Sequence, residues 1–256
     1  MIITPEQALV VILIMARLLG MVVMAPVFSN QQIIAPVKIA LIFWMAGMIS
    51  FFVPLPAALP SSMSLLVLAL ILEFMIGIIY GFVAQLLIVG VELAGSLIDT
   101  QAGISAAALF DPGRGQQATL VSKLYREIVV LMFLILQGHH ALLISIRASF
   151  DLIPIGAGTF PMQAIAHVFQ MGGVLFKIGI QIAAPLLIVI FLLDFAFGML
   201  SRVAPQVNVF QLSFQLKPLV MVSVLMLVVP GLVYSVERII EKILEEFVLL
   251  SRLLVS

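Results

Sequence analysis

The sequence predicts an all-α integral membrane protein, and three observations predict it. Of 256 residues, 64% are hydrophobic and only 9% are charged, against about 25% charged in a typical soluble domain. The mean hydropathy is +1.31. Several apolar runs approach the roughly 20 residues that a helix needs to cross a hydrocarbon core. The charges balance at 12 basic and 12 acidic, and together these features exclude a basic nucleic-acid binder, an acidic disordered chain and an ordinary cytosolic enzyme. With no cysteine there is no disulfide framework, thiolate metal cage or cysteine nucleophile.

The first run covers residues 8–27, is interrupted by Arg17 and ends at Pro26. It carries no basic residue before Arg17 and no small-residue cleavage site, so a removable signal peptide is not expected. The second, residues 39–53, stops at Pro54 and is short for a span unless Lys38 and the residues before it join the helix and snorkel. Residues 65–91 carry Glu73, and 93–110 follow with almost no turn, carrying Asp99 and many small residues. Together they are too long for one span, so a bent or re-entrant helix pair, with its bend near Gly90 or Gly95, is expected. Gly77 and Gly81 form a GxxxG pair suited to close helix packing with a partner the sequence does not name.

The segment 111–127 is the most polar. The apolar run 128–146 is broken by Gln137-Gly138-His139-His140, and 151–161 reads as a loop. Residues 174–200 are apolar apart from Lys177, Gln181 and Asp194, with a kink expected at Pro185. A polar turn over 201–217 precedes the last apolar run, 219–234. From Glu237 onward, apolar residues recur at helical spacing among charges, which predicts an amphipathic tail helix. It lies at the interface, caps the fold or docks on a partner. Arg114, Lys123 and Arg126 fall in one polar segment and Arg202 and Lys217 in another, but alternative span counts leave the topology unassigned.

Charges inside membrane helices cost roughly 2.5–3.5 kcal/mol each at mid-span. Arg17, Glu73, Glu92, Asp99, Lys177 and Asp194 are therefore candidate functional residues. They suit the midplane site of an ion-coupled transporter, pairing across subunit interfaces, or a protein-lined environment. Catalytic signatures are scarce. His139 and His140 are adjacent and expected on different helix faces, and no HExxH, GxSxG or P-loop is present. No cofactor or metal is expected.

Two segments carry a family resemblance. Leu200-Ser201-Arg202-Val203-Ala204-Pro205-Gln206-Val207-Asn208-Val209-Phe210, followed by Leu212-Ser213-Phe214 and Lys217, resembles the signature turn of the FliR/SctT family of type III export membrane subunits. Phe110-Asp111-Pro112, after the small-residue segment 103–108, resembles that family's loop between two central helices. Gln137-Gly138-His139-His140 and Leu152-Ile153-Pro154-Ile155-Gly156 match further positions in order, so the likeness runs from about residue 8 to 234. Gln215 stands where the family usually has proline, and Gln137 where asparagine is usual. The Gly-His-His favours the flagellar over the injectisome branch.

The resemblance implies a FliP-like part (residues 1–172) followed by a FliQ-like helical hairpin with the amphipathic tail (173–256). It implies a non-enzymatic subunit of an inner-membrane export gate, part of the flagellar basal body. The partners it implies are FliP and FliQ in a closed ring, FlhB, membrane lipid and unfolded flagellar proteins as cargo. Within that picture Gly103, Leu109, Phe110, Asp111, Pro112 and Gly113 form a pore plug near 103–119. Arg202, Pro205, Gln206, Asn208, Phe210 and Lys217 form a subunit-contact turn. Arg17, Glu73, Glu92, Asp99, Lys177 and Asp194 are buried charges shared between subunits. The alternatives are a small transporter with Glu73, Asp99 or Asp194 as a proton relay, and a membrane enzyme using His139 or His140.

Overall fold

The computed structural model describes residues 5–30, 32–53, 60, 62–104, 119–156 and 162–253, without the side chains of 162–169 and 243–253. Among them the chain forms seven α-helices and no strand: α1 Pro5–Met24, α2 Ala35–Ser50, α3 Met63–Gln101, α4 Leu120–Ile135, α5 Gly138–Leu152, α6 Met162–Val203 and α7 Val209–Leu253. Four helices are long and apolar enough to cross a membrane, or five spans if the bent pair α4–α5 counts as one.

Pro5 and Glu6 open α1, where a missing N–H costs nothing and a carboxylate meets the positive helix end. Its buried face, Val10, Leu13, Ile14, Arg17, Leu18 and Met21, follows the helical repeat. α2 begins at Ala35, so Lys38 does join the helix. At about 24 Å it remains shorter than a ~30 Å hydrocarbon core.

The bent pair falls elsewhere than the sequence suggests. α3 runs through Gly90 and Gly95 as one 39-residue helix, whereas α4 and α5 meet at 64° around Gln137. A glycine keeps its N–H, so it does not by itself break a helical ladder. Here both glycines admit close neighbours: a Cβ at Gly90 would lie 3.3 Å from Ile178 Cγ2, and one at Gly95 would strike the Ser122 backbone. The α4–α5 bend has a local cause. Gln137 sits in the left-handed region (φ +57°) as the N-cap of α5.

α6 passes through Pro185, and α7 continues through Pro218 and Pro230 for 45 residues. The connection between them is confined to residues 204–208, narrower than the expected 201–217, because Asn208 caps α7: its Oδ1 accepts from the Gln211 N–H at 3.2 Å. The tail from Glu237 is a continuation of α7 rather than a separate helix. The most apolar windows of α6 and α7 are 28% and 17% buried, against 44% in α1 and α3, so this hairpin keeps broad apolar faces uncovered.

Two units of packing divide the chain, with borders inside α3, α4, α6 and α7: residues 1–87, 133–172 and 240–256 form one, and 88–132 and 173–239 the other. In the first, α1 packs on α2 and lies backbone to backbone against α3. A Cβ at Gly20 would collide with Phe74 O, one at Gly77 with Arg17 O, and one at Gly81 would come within 2.7 Å of Met21 O. The GxxxG partner is therefore α1. In the second unit, α4 and α6 pack on the last turns of α3, where a Cβ at Gly179 would lie 2.9 Å from Leu93.

Candidate functional site

The most built polar centre lies in the first unit. Arg17 on α1 is 0% and Glu73 on α3 is 2% exposed. Arg17 Nε donates to Glu73 Oε2 at 2.6 Å, Nη1 to Ser149 Oγ at 2.9 Å and Nη2 to the Ile153 carbonyl at 3.2 Å. The Gly156 N–H donates to Glu73 Oε1 at 3.1 Å. Phe150 supplies an aromatic face 4.0 Å from the guanidinium carbon, a cation–π contact that is strongest when dry. The fork of donors thus ties α1, α3, α5 and residues 153–156 together, with both carboxylate oxygens engaged. An ion pair this deep is tolerable because each guanidinium nitrogen and each carboxylate oxygen has a partner.

The pairing corrects one expectation: Arg17 and Glu73 neutralise each other within the chain rather than across a subunit boundary. Sequence reading missed Ser149, Phe150, Ile153 and Gly156. Ser149 and Phe150 fall between the apolar run 128–146 and the loop 151–161, and backbone groups leave no residue signature.

Asp99 forms the second centre. It is 0% exposed near the end of α3, and its carboxylate accepts from the Val121 and Ser122 N–H groups, both at 3.0 Å. These are among the orphan donors of the α4 N-terminus, where an anion also meets the helix dipole. Ser122 Oγ donates to the Glu92 carbonyl at 3.1 Å. Asp99 is therefore a helix cap supplied from 22 residues away. Gly103 stands just beyond α3 at φ +80°, the left-handed stop common at helix C-termini. The other expected plug residues, Leu109, Phe110, Asp111, Pro112 and Gly113, lie outside the described residues.

The third centre joins the hairpin. Lys217 Nζ lies 2.6 Å from Asp194 Oδ1, with the side chains 17% and 42% exposed. The uncharged stretches 178–193 and 218–236 are about 24 and 28 Å long, near the ~30 Å of a hydrocarbon core. The ion pair thus closes both uncharged stretches at the turn end of the hairpin. Arg202, Pro205, Gln206, Asn208 and Phe210 are exposed around that turn, and the Phe210 and Phe214 rings stack at 5.3 Å.

Within the chain itself, three of the six charges keep contact with the surroundings. Lys177 and Asp194 are exposed, and Glu92 is half-buried with Arg126 at 3.8 Å. Helix ends and outward faces let these side chains reach polar surroundings. The His139 and His140 rings touch at 4.3 Å rather than pointing apart. Among the described residues no three His, Cys, Asp or Glu side chains gather as a metal site.

Long apolar helices, close glycine contacts and an internally neutralised ion pair define a polytopic α-helical membrane protein. Its sequence matches the model of the bacterial export proteins, family 1, over residues 8–243. The chain belongs to that family. It is 31% identical over 214 residues to the flagellar biosynthetic protein FliR of Pectobacterium carotovorum subsp. carotovorum, covering 84% of this chain and 82% of the relative. It is 31% identical over 221 residues to FliR of Bacillus subtilis, covering 85% and 84%. A third relative, the Yop proteins translocation protein T of Yersinia pestis, is 31% identical over 148 residues, covering 57% of this chain and 56% of that protein.

Proposed function

We propose that this chain is a FliR-type membrane subunit of the flagellar type III export apparatus in the bacterial inner membrane. The observation that carries the reading is near full-length similarity to flagellar FliR proteins, with over four-fifths of each chain aligned. The Yersinia pestis relative favours the injectisome branch as a second reading, over a shorter alignment.

In this role the chain joins FliP and FliQ in a ring, contacts FlhB, and lets unfolded flagellar proteins pass without catalysing a reaction itself. Uncovered apolar faces on α6 and α7 support an assembled state with neighbouring helices. In this reading residues 1–172 are the FliP-like part and 173–256 the FliQ-like hairpin with its tail. The segment around Phe110-Asp111-Pro112-Gly113 acts as the plug. Gly103 stopping α3 and Asp99 holding the start of α4 support it, because they anchor both ends of that connection. Leu109 and Phe110 are the residue types that block and dewet a narrow passage.

A proton relay is less well supported, because Glu73, Asp99 and Asp194 are each committed to separate partners. The test is native mass spectrometry of the tagged chain expressed alone and with FliP and FliQ. A discrete complex containing both sisters is expected, and a stable monomer that ignores them would overturn the reading. Deleting residues 110–115 should leave the complex formed while cells leak ions; an assembled complex with unchanged permeability would remove the plug assignment.

A further inference from the structure

A buried hydroxyl in the second packing unit stands without a partner. Tyr125 on α4 is 0% exposed, and its hydroxyl makes no hydrogen bond among the described residues. Buried polar groups are nearly always bonded, and an orphaned one favours any packing that satisfies it. The helix register sets what stands beside it. Ser122 Oγ donates to the Glu92 carbonyl at 3.1 Å, which fixes Ser122 opposite Glu92 on α3. At about 100° per residue, Tyr125 falls about 60° to one side of Ser122 and Arg126 about 40° to the other. The two side chains therefore flank Glu92, Tyr125 on the buried side of the seam and Arg126 on the exposed side.

Glu92 is loosely held. Its Oε1 lies 3.8 Å from Arg126 Nη1, beyond hydrogen-bond distance, with the side chains 37% and 50% exposed. An exposed pair at that separation adds little to stability. The rest of the seam tolerates a turn of α4 about its own axis. Asp99 holds the Val121 and Ser122 N–H groups. Such amides point along the helix axis, so a roll about that axis retains them. Gly95 meets the Ser122 backbone with no side chain between them, so nothing interlocks there.

We propose that the α3–α4 seam is a two-position conformational device in which Glu92 exchanges Arg126 for the Tyr125 hydroxyl. In the described packing Glu92 faces Arg126. In the second, α4 rolls by about 50° with Asp99 as its pivot, and the Tyr125 hydroxyl comes to the Glu92 carboxylate. The carboxylate stays at the rim of the seam, so no further charge is buried. The roll gives up the Ser122–Glu92 bond and a long ion pair, and gains a charge-assisted hydrogen bond from a donor that is otherwise orphaned. The inference concerns the second unit alone and does not depend on the export role.

The test uses the full chain, with any co-purifying subunits retained, in neutral detergent. The sequence has no cysteine, so Leu124→Cys, at a position 43% exposed on α4, takes a single fluorine label. Fluorine NMR should show two exchanging environments. Tyr125→Phe should lower the second population about tenfold and raise the melting temperature by about 2–4 °C. Arg126→Gln should enrich the second environment, and Glu92→Ala should remove it. A single environment in the labelled protein, or two that persist unchanged in Tyr125→Phe, would overturn the proposal. So would a lower melting temperature in Tyr125→Phe, because the hydroxyl would then be bonded in the described packing.

Discussion

Arg17 and Glu73, 56 residues apart, meet at 2.6 Å with both side chains sealed from solvent. The contact fastens α1 to α3, and its other hydrogen bonds carry the α5 end and residues 153–156 into the same knot. Removing one member leaves an uncompensated buried charge, which costs about 3–5 kcal/mol. Arg17→Met and Glu73→Gln should each lower the melting temperature and membrane abundance severely. Replacing both by apolar residues should cost less than either single change predicts by addition. Melting of the single and double variants in detergent checks this, and additive losses would contradict the pairing.

Asp99 caps a helix to which it does not belong. Asp99→Ala should leave the Val121 and Ser122 amides without acceptors and cost about 1–2 kcal/mol. Asp99→Asn, which keeps one acceptor oxygen but loses the charge, should fall between. Hydrogen–deuterium exchange reads the effect locally: protection should drop at the start of α4 and persist in α1. Unchanged protection at Val121 and Ser122 would rule out the cap.

Gly77 and Gly47 separate two uses of the same residue. A Cβ at Gly77 collides with the α1 backbone, whereas one at Gly47 meets nothing within 4 Å. Gly77→Ala should therefore force α1 and α3 apart, destabilising by about 1–3 kcal/mol. Gly47→Ala should be neutral or stabilising by up to about 1 kcal/mol, because alanine is the better helix former. Thermal melts of the two variants side by side provide the comparison.

Gln137 holds the α4–α5 bend with φ +57°. A left-handed conformation costs a side-chain-bearing residue about 1–2 kcal/mol. Gln137→Gly, and to a smaller extent Gln137→Asn, should raise the melting temperature. Gly138→Ala should lower it, because the added Cβ runs into the buried Phe133 ring. A loss of stability in Gln137→Gly would show that the glutamine side chain itself supports the bend.

Much of this was legible in the residues. Hydropathy located every long helix, because apolar length is a local property that a bilayer reads directly. The interruption at Gln137-Gly138 marked the break between α4 and α5, though not the bend there, and Lys38 marked the extended start of α2. The same local reading expected a bend where α3 runs on as one helix. Gly90 and Gly95 look like hinges in isolation, yet each is the floor of a contact with another helix.

The sequence by itself determined the all-α membrane class, the approximate spans and, through the Arg202–Lys217 motif, the family. Those features are encoded in neighbouring residues and fixed repeats. Only the tertiary structure decided that Arg17 belongs to Glu73, Asp99 to the α4 backbone and Lys217 to Asp194. A charge in an apolar run announces that it needs a partner, because leaving it bare is costly. Which partner it finds depends on long-range packing, and in the case of Asp99 the partner is main chain, which every sequence carries everywhere.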